Sequence, residues 1–281
     1  MIIVADVGNT SADWGVIYKD EILYYKTTGF SPYFTKPHEI VNLLQKELLP
    51  NIDVKLVGSI FFYGTGCSSD ANKNIVKETL SGIFNNTEIF VDTDLLAAAK
   101  ALCENNEGIA CIIGTGSNSC YYNGNKIQDN KLSLGYILGD EGSGAYLGKK
   151  LLHDYFHNKL PKNLKQEFAK FAKVSDKEII STLYSTNKPS SYLASFAPFL
   201  NKHYNNEYVK DLLNYSFNEF IDNCVKIYPE SKHLPINFVG SIAHLYKDLI
   251  STLLKYNNLQ AGKFISSPIK DLSIFHKEQG K

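Results

Sequence analysis

The feature that most constrains this chain is a turn that it uses twice. Ala5-Asp6-Val7-Gly8-Asn9-Thr10 follows the apolar run Ile2–Ala5, and Ile113-Gly114-Thr115-Gly116-Ser117-Asn118 follows the apolar run Ile109–Ile113. Each precedes another short apolar stretch. Strand, Gly/Thr turn, strand describes a hairpin whose tip presents backbone N–H groups and hydroxyls, and such tips suit phosphate oxygens. Two of them facing each other can hold a polyphosphate from both sides. A unit that restarts in this way points to internal duplication, and 281 residues are comfortable for two cores.

The patterning around the tips agrees. Ile2–Val7, Trp14–Tyr18 and Ile22–Thr27 read as three consecutive strands. A helix over 37–49 ends at Pro50, Val54–Tyr63 reads as a buried strand, and Asn72–Phe84 has helical spacing. Glu88–Val91 is a short strand and Leu95–Leu102 an alanine-rich helix. After the polar stretch 104–107 the pattern begins again with strands at Gly108–Ile113, Ser119–Tyr122 and Lys126–Gln128. A helical block fills most of 142–228, its clearest member being 207–228 with one buried face. Pro235–Val239 is expected as the last strand, Ile242–Leu254 as one helix and 268–277 as a terminal helix.

Chemistry concentrates at the ends of these strands. Gly8 is expected to take a positive φ and let the tip reverse. Thr10 then offers a hydroxyl and an N–H to phosphate, and Asp6 reaches a Mg²⁺ ion through water. Gly114, Thr115 and Gly116 leave the second tip bare for phosphate, while Ser117 and Asn118 point toward a polar substrate. Asp94, in Asp92-Thr93-Asp94, stands at a helix start, where a carboxylate either caps free N–H groups or accepts the proton of an attacking hydroxyl. Asp140 and Glu141 lie in the glycine-rich run 135–145, with no basic residue adjoining them, and suit sugar hydroxyls. Gly240 and Ser241, at a strand–glycine–helix junction, can let an adenine ring lie against the backbone. In Tyr63-Gly64-Thr65-Gly66-Cys67 the thiol falls near a helix start, where its pKa can drop.

Composition sharpens the phosphate argument. The chain has no arginine, so all 29 basic residues are lysines and no guanidinium fork is available. Phosphate must be met by amides, hydroxyls, lysine or a metal ion. Asp and Glu also total 29, and without a basic excess no nucleic-acid or anionic-membrane partner is expected. No apolar run approaches the ~20 residues of a membrane span, and Met1–Asp6 reads as a strand rather than a leader. Five cysteines without paired spacing point to core residues in a reduced, cytoplasmic setting.

These motifs, in this order, resemble the N-acetylglucosamine kinase and BadF/BadG-type ATPase branch of the sugar kinase, Hsp70 and actin superfamily, most tightly at 113–124 and 135–148. The resemblance implies an α/β fold of two ribonuclease-H-like (actin-like ATPase) domains flanking a central cleft. The first would span 1–105 and be completed by the terminal helix 266–281. The second would span 106–265 and carry a helical insertion. It implies Thr10 and Thr115 as ATP-phosphate contacts and Gly240 as an adenosine contact. Asp94 would be the catalytic base, and Ser117, Asn118, Gly135 and Asp140 would contact sugar. Relatives tend to set an asparagine against the sugar where Ser31 stands in this chain.

The expected activity is ATP- and Mg²⁺-dependent phosphorylation of an amino sugar hydroxyl, foremost the 6-hydroxyl of N-acetylglucosamine, by a chain that is often a homodimer in related kinases. Glucosamine, N-acetylmuramic acid and N-acetylmannosamine stay open as substrates. Asp6-Val7-Gly8-Asn9-Thr10 also resembles type III pantothenate kinase. That family does not share the acidic glycine loop, and its carboxylate substrate calls for a cationic partner. An ATPase that activates 2-hydroxyacyl-CoA dehydratases and a non-catalytic sugar sensor complete the alternatives.

Overall fold

A computed structural model describes residues 1–279. The chain divides into two compact units. The first comprises residues 1–106, 123–127 and the terminal segment from Ser267; the second comprises 107–122 and 128–266.

The sheet of the first unit is built from β1 (Ile2–Val7), β2 (Ser11–Tyr18), β3 (Glu21–Thr28), β4 (Ser59–Gly64) and β5 (Glu88–Thr93), in the order β3-β2-β1-β4-β5. The β1–β2 and β2–β3 pairs are antiparallel, as short turns require, whereas β4 and β5 return parallel through helical crossovers. The second sheet uses β6 (Glu107–Ile113), β7 (Ser117–Asn123), β8 (Ile127–Asp129), β9 (Ile236–Val239) and β10 (Ala261–Ile265), in the order β10-β9-β6-β7-β8. Numbered within its own sheet, each runs third-second-first-fourth-fifth. The central strands β1 and β6 are almost wholly buried, which explains their uninterrupted apolar sequences.

Two separate cores follow. In the first unit Trp14, Phe62, Ile40, Leu44, Val76 and Leu80 pack together, and the Trp14 indole donates to Thr27 Oγ1 at 3.0 Å. In the second, Phe168, Phe199, Phe217, Phe220 and Phe238 fill the space between sheet and helices. Among the described residues no helix is long and apolar enough to cross a membrane.

Several element boundaries depart from the sequence pattern for local reasons. Val54–Tyr63 is not one strand: Asp53 Oδ1 accepts from Lys55 N at 3.1 Å and winds Val54–Leu56 into a 3₁₀ turn before β4. The helix expected over 207–228 is α-helical only to Phe220 and continues as a π-turn over Ile221–Val225. Ile242–Leu254 is two helices, Ser241–Leu245 and Lys247–Tyr256, broken at Tyr246. Pro235–Val239 is not the last strand, because β10 follows it. Its register slips between Ala261 and Phe264, and the Asn237 side chain stands in for the ladder by accepting from Lys263 N at 2.8 Å.

Candidate active site

In the first unit the tip after β1 is closed by Gly8 N donating to Ser11 O at 3.0 Å. Gly8 does not take a positive φ, which corrects the expectation from sequence. Gly29 supports the tip by donating to Thr10 O at 3.1 Å, and a side chain at Gly29 would overlap the Gly8 carbonyl. Asn9 and Thr10 are exposed at the end of the tip.

Asp6 lies just behind it. It stands in register with Asp13 on β2 and Tyr63 on β4. Burial first, then the charges of Asp94 and Asp13, push the Asp6 carboxyl up to about 7. A half-buried carboxylate repelled by two others fits a cation arriving from outside. Among the described residues no group of three or more His, Cys, Asp or Glu is arranged to hold a metal directly. Such a site would suit a divalent cation held only loosely by the protein.

Asp94 is the first residue of helix Asp94–Cys103, and the cap comes from its neighbour: Thr93 Oγ1 accepts from Leu96 N at 3.2 Å. That leaves the Asp94 carboxylate for other work. It accepts from Thr65 Oγ1 at 2.6 Å. Thr65 is in turn pinned to the end of β1 by donating its N–H to Val7 O at 2.9 Å. Burial raises the Asp94 pKa, opposed by the Thr65 hydroxyl and by main-chain N–H groups at the helix start. Ser31 is buried against Gly66, beside this corner. Cys67 is the opposite of a reactive thiol, since burial and the Asp94 charge push it up to about 12.

The second unit builds a different tip. Gly114 N donates to Gly116 O at 2.9 Å, and the helix Gly144–Phe156 docks onto the turn through Gly144 N to Gly114 O at 2.8 Å and Ala145 N to Thr115 O at 3.0 Å. Thr115 is exposed, and a side chain at Gly114 would meet no protein atom within 4 Å. Gly116, by contrast, lies against the Asp140 carboxylate, where a Cβ would come within 2.9 Å of Oδ2.

Asp140 holds a left-handed backbone, φ 57°, a conformation that Asp tolerates better than most residues with a side chain. Its Oδ1 accepts from Ser117 N at 3.1 Å, and Ser117 Oγ donates to Glu141 O at 2.9 Å. Burial raises the Asp140 pKa, the Ser117 N–H opposes it, and the Glu141 charge adds to it. The loop has a basic neighbour after all, because helix Gly144–Phe156 brings in Lys149, whose charge also acts on Asp140. Ser117, Asn118, Asp140 and Glu141 line a pocket of about 80 Å³ closed by Asn223, Cys224 and Ile227. Gly135 opens the short helix Gly135–Leu138 with φ 64°. Gly240 (φ 123°) passes so close to the end of β6 that a side chain would overlap the Ile113 carbonyl, and Ser241 begins the next helix, exposed.

Within the first unit, then, Asp6, the Gly8–Thr10 tip and Asp94 come together; within the second, Gly114–Ser117, Asp140, Glu141 and Gly240 do. Three residues escaped the sequence reading. Thr65 repeats the Gly-Thr-Gly signature of residues 114–116 and was legible in principle. Asp13 and Asn223 carry no local signal.

No protein-family model matches the chain, and no curated protein does. Solved structures do. A provisionally named N-acetylglucosamine kinase from Porphyromonas gingivalis shares 35% identity over 100% of both chains, with a TM-score of 0.95. The chain belongs to the N-acetylglucosamine kinase family. A second provisionally named N-acetylglucosamine kinase, from Chromobacterium violaceum, shares this family member's fold at TM-score 0.76 and 15% identity over 98% of each chain. So does a glucokinase from Streptomyces griseus, solved with glucose and AMPPNP, at TM-score 0.55 and 13% identity over 99% of this chain and 98% of its own. The N-acetylglucosamine kinase family member therefore has the two-domain, ribonuclease-H-like fold of sugar kinases, with one such sheet in each unit.

Proposed function

We propose that the chain is an ATP- and Mg²⁺-dependent kinase that phosphorylates N-acetylglucosamine on its 6-hydroxyl. The observation that carries this reading is Asp94: a carboxylate relieved by Thr93 of capping Leu96 N, aimed by Thr65 at 2.6 Å and shifted upward by burial. A general base works best when its pKa approaches the working pH. Asp94 takes the proton of the sugar hydroxyl as that oxygen attacks the terminal phosphoryl group.

The first tip (Gly8, Asn9, Thr10) and the second (Gly114, Thr115, Gly116) supply donors to ATP phosphates. Without arginine those donors are amides and hydroxyls, which stabilise the transferring group by position and electrostatics. Asp6 would hold Mg²⁺, and the ion would supply neutralisation of phosphate charge. Gly240 and Ser241 receive the adenosine. Ser117, Asn118, Gly135, Asp140 and Glu141 bind the sugar, where acceptors and donors alternate as hydroxyls demand. The names of the two N-acetylglucosamine kinases support the choice of substrate.

The test is a coupled ADP-release assay over N-acetylglucosamine, glucosamine, N-acetylmannosamine, N-acetylmuramic acid and pantothenate, with and without Mg²⁺. Turnover highest on N-acetylglucosamine is expected. A preference for any other acceptor, or the same rate in chelator, refutes the reading.

A further inference from the structure

The helix Glu207–Phe220 widens into a π-turn over Ile221–Val225, closed by Lys226 N donating to Ile221 O at 2.9 Å. Such turns insert a residue, redirect the side chains beyond them and recur at functional sites. This one is firmly based. Ile221 and Val225 are buried, Ser119 Oγ donates to Cys224 O at 2.6 Å, and the Tyr228 hydroxyl donates to Ser119 O at 3.0 Å.

On that base the turn presents Asn223 to the pocket beside the second tip. Asn223 Nδ2 donates to Glu141 Oε1 at 3.3 Å, and Asn223, Cys224 and Ile227 share the pocket's lining with Ser117, Asn118 and Asp140. Glu141 is thereby held twice: its carbonyl by Ser117 Oγ at 2.9 Å and its carboxylate by Asn223. The second hold matters because Asp140 is adjacent: burial chiefly raises its carboxyl pKa, and the Glu141 charge adds to the rise. A carboxylate with one oxygen engaged still offers the other as an acceptor.

We infer that Asn223 is a positioning residue for Glu141, and that the π-turn is the wall of the pocket that sets how tightly an amino sugar's hydroxyl or amide donor is gripped. This rests on reading the pocket as the sugar site. The turn brings a neutral amide donor to a carboxylate on which the Lys149 charge also acts.

The experiment is steady-state kinetics of wild type, N223A, N223D, E141Q and N223A/E141Q, with D222N as a control on the same turn; Asp222 pairs with Lys226 at 2.6 Å instead. N223A is expected to raise the sugar KM by about 3–10-fold, the scale of one net hydrogen bond. Its ATP KM, kcat and melting temperature stay near wild type, and D222N changes nothing. N223D, which faces Glu141 with a like charge, raises the sugar KM further. The double variant is no worse than E141Q, because both changes act through one carboxylate. An unchanged sugar KM in N223A, or equal rises for sugar and ATP, overturns the inference while leaving the kinase reading intact. Wild type inactive on every amino sugar overturns the reading itself, and the inference with it.

Discussion

The two tips sit at equivalent places in two sheets of the same strand order, and they are chemically unlike. The tip after β1 is backed by acids: Asp6, pushed up to about 7, with Asp94 and Asp13 close enough to repel it. The tip after β6 is backed by main chain, with the start of the helix Gly144–Phe156 hydrogen-bonded to Gly114 and Thr115. Its nearest acid, Asp140, is turned onto Gly116 and Ser117. A duplicated scaffold thus keeps its backbone and divides the labour. In the proposed reaction one copy supplies proton acceptor and cation site, the other amide donors and substrate acceptors.

The sharpest way to break that division is to neutralise one acid from each copy. Asp94→Asn should lower kcat by about 10²–10⁴-fold with little change in sugar affinity, the usual scale of general-base help. Asp140→Asn should act mainly on the sugar KM. Steady-state kinetics and calorimetry decide, and equal kcat losses in both variants would erase the distinction.

Asp6 offers a test on stability. Its folded pKa lies above the ordinary carboxylate value of 3.8, so between those values the native state holds a proton that the unfolded chain has lost. Stability contributed by this group therefore falls as pH rises from about 4 to 7 and levels off above. Asp6→Asn should remove the penalty and stabilise the fold at pH 8 by up to about 4 kcal/mol, with no gain near pH 3. Urea unfolding at both pH values measures it. The same variant should weaken the dependence of rate on Mg²⁺.

Two glycines separate ligand demand from packing demand. Gly29→Ala places a methyl on the Gly8 carbonyl and should cost about 1–3 kcal/mol in chemical unfolding, the range of overpacking. Gly114→Ala meets nothing within 4 Å and should leave unfolding unchanged while raising the ATP KM. A destabilised Gly114→Ala would show that this glycine serves the fold.

The smallest expected effect is Thr65→Val. Losing the hydroxyl that stabilises the Asp94 carboxylate raises its pKa further, so the acidic limb of kcat/KM should move to higher pH. An unmoved limb would mean that Thr65 does not set this base.

Much of this was legible beforehand because it is written in short windows. Apolar runs ending in Gly-Asn-Thr or Gly-Thr-Gly announced β1, β6 and their tips, and the restart after residue 107 announced the second sheet. Windows failed where a distant group decides the outcome. The strand β10, with a glycine inside it, exists because Asn237 replaces part of its ladder. The window around Asp94 left cap and base both open; Thr93 does the capping of Leu96 N, and Thr65, 29 positions away in sequence, holds the Asp94 carboxylate.

By itself, then, the order of residues determined most of the strands, the duplicated turns and the kinds of chemistry at their ends, since backbone preference and side-chain type act locally. Tertiary structure alone decided which carboxylates are buried, which partner each one has, and that Asn223 reaches Glu141. Desolvation and hydrogen bonding depend on neighbours brought from elsewhere in the chain, and these set whether an acid is a cap, a base or a ligand.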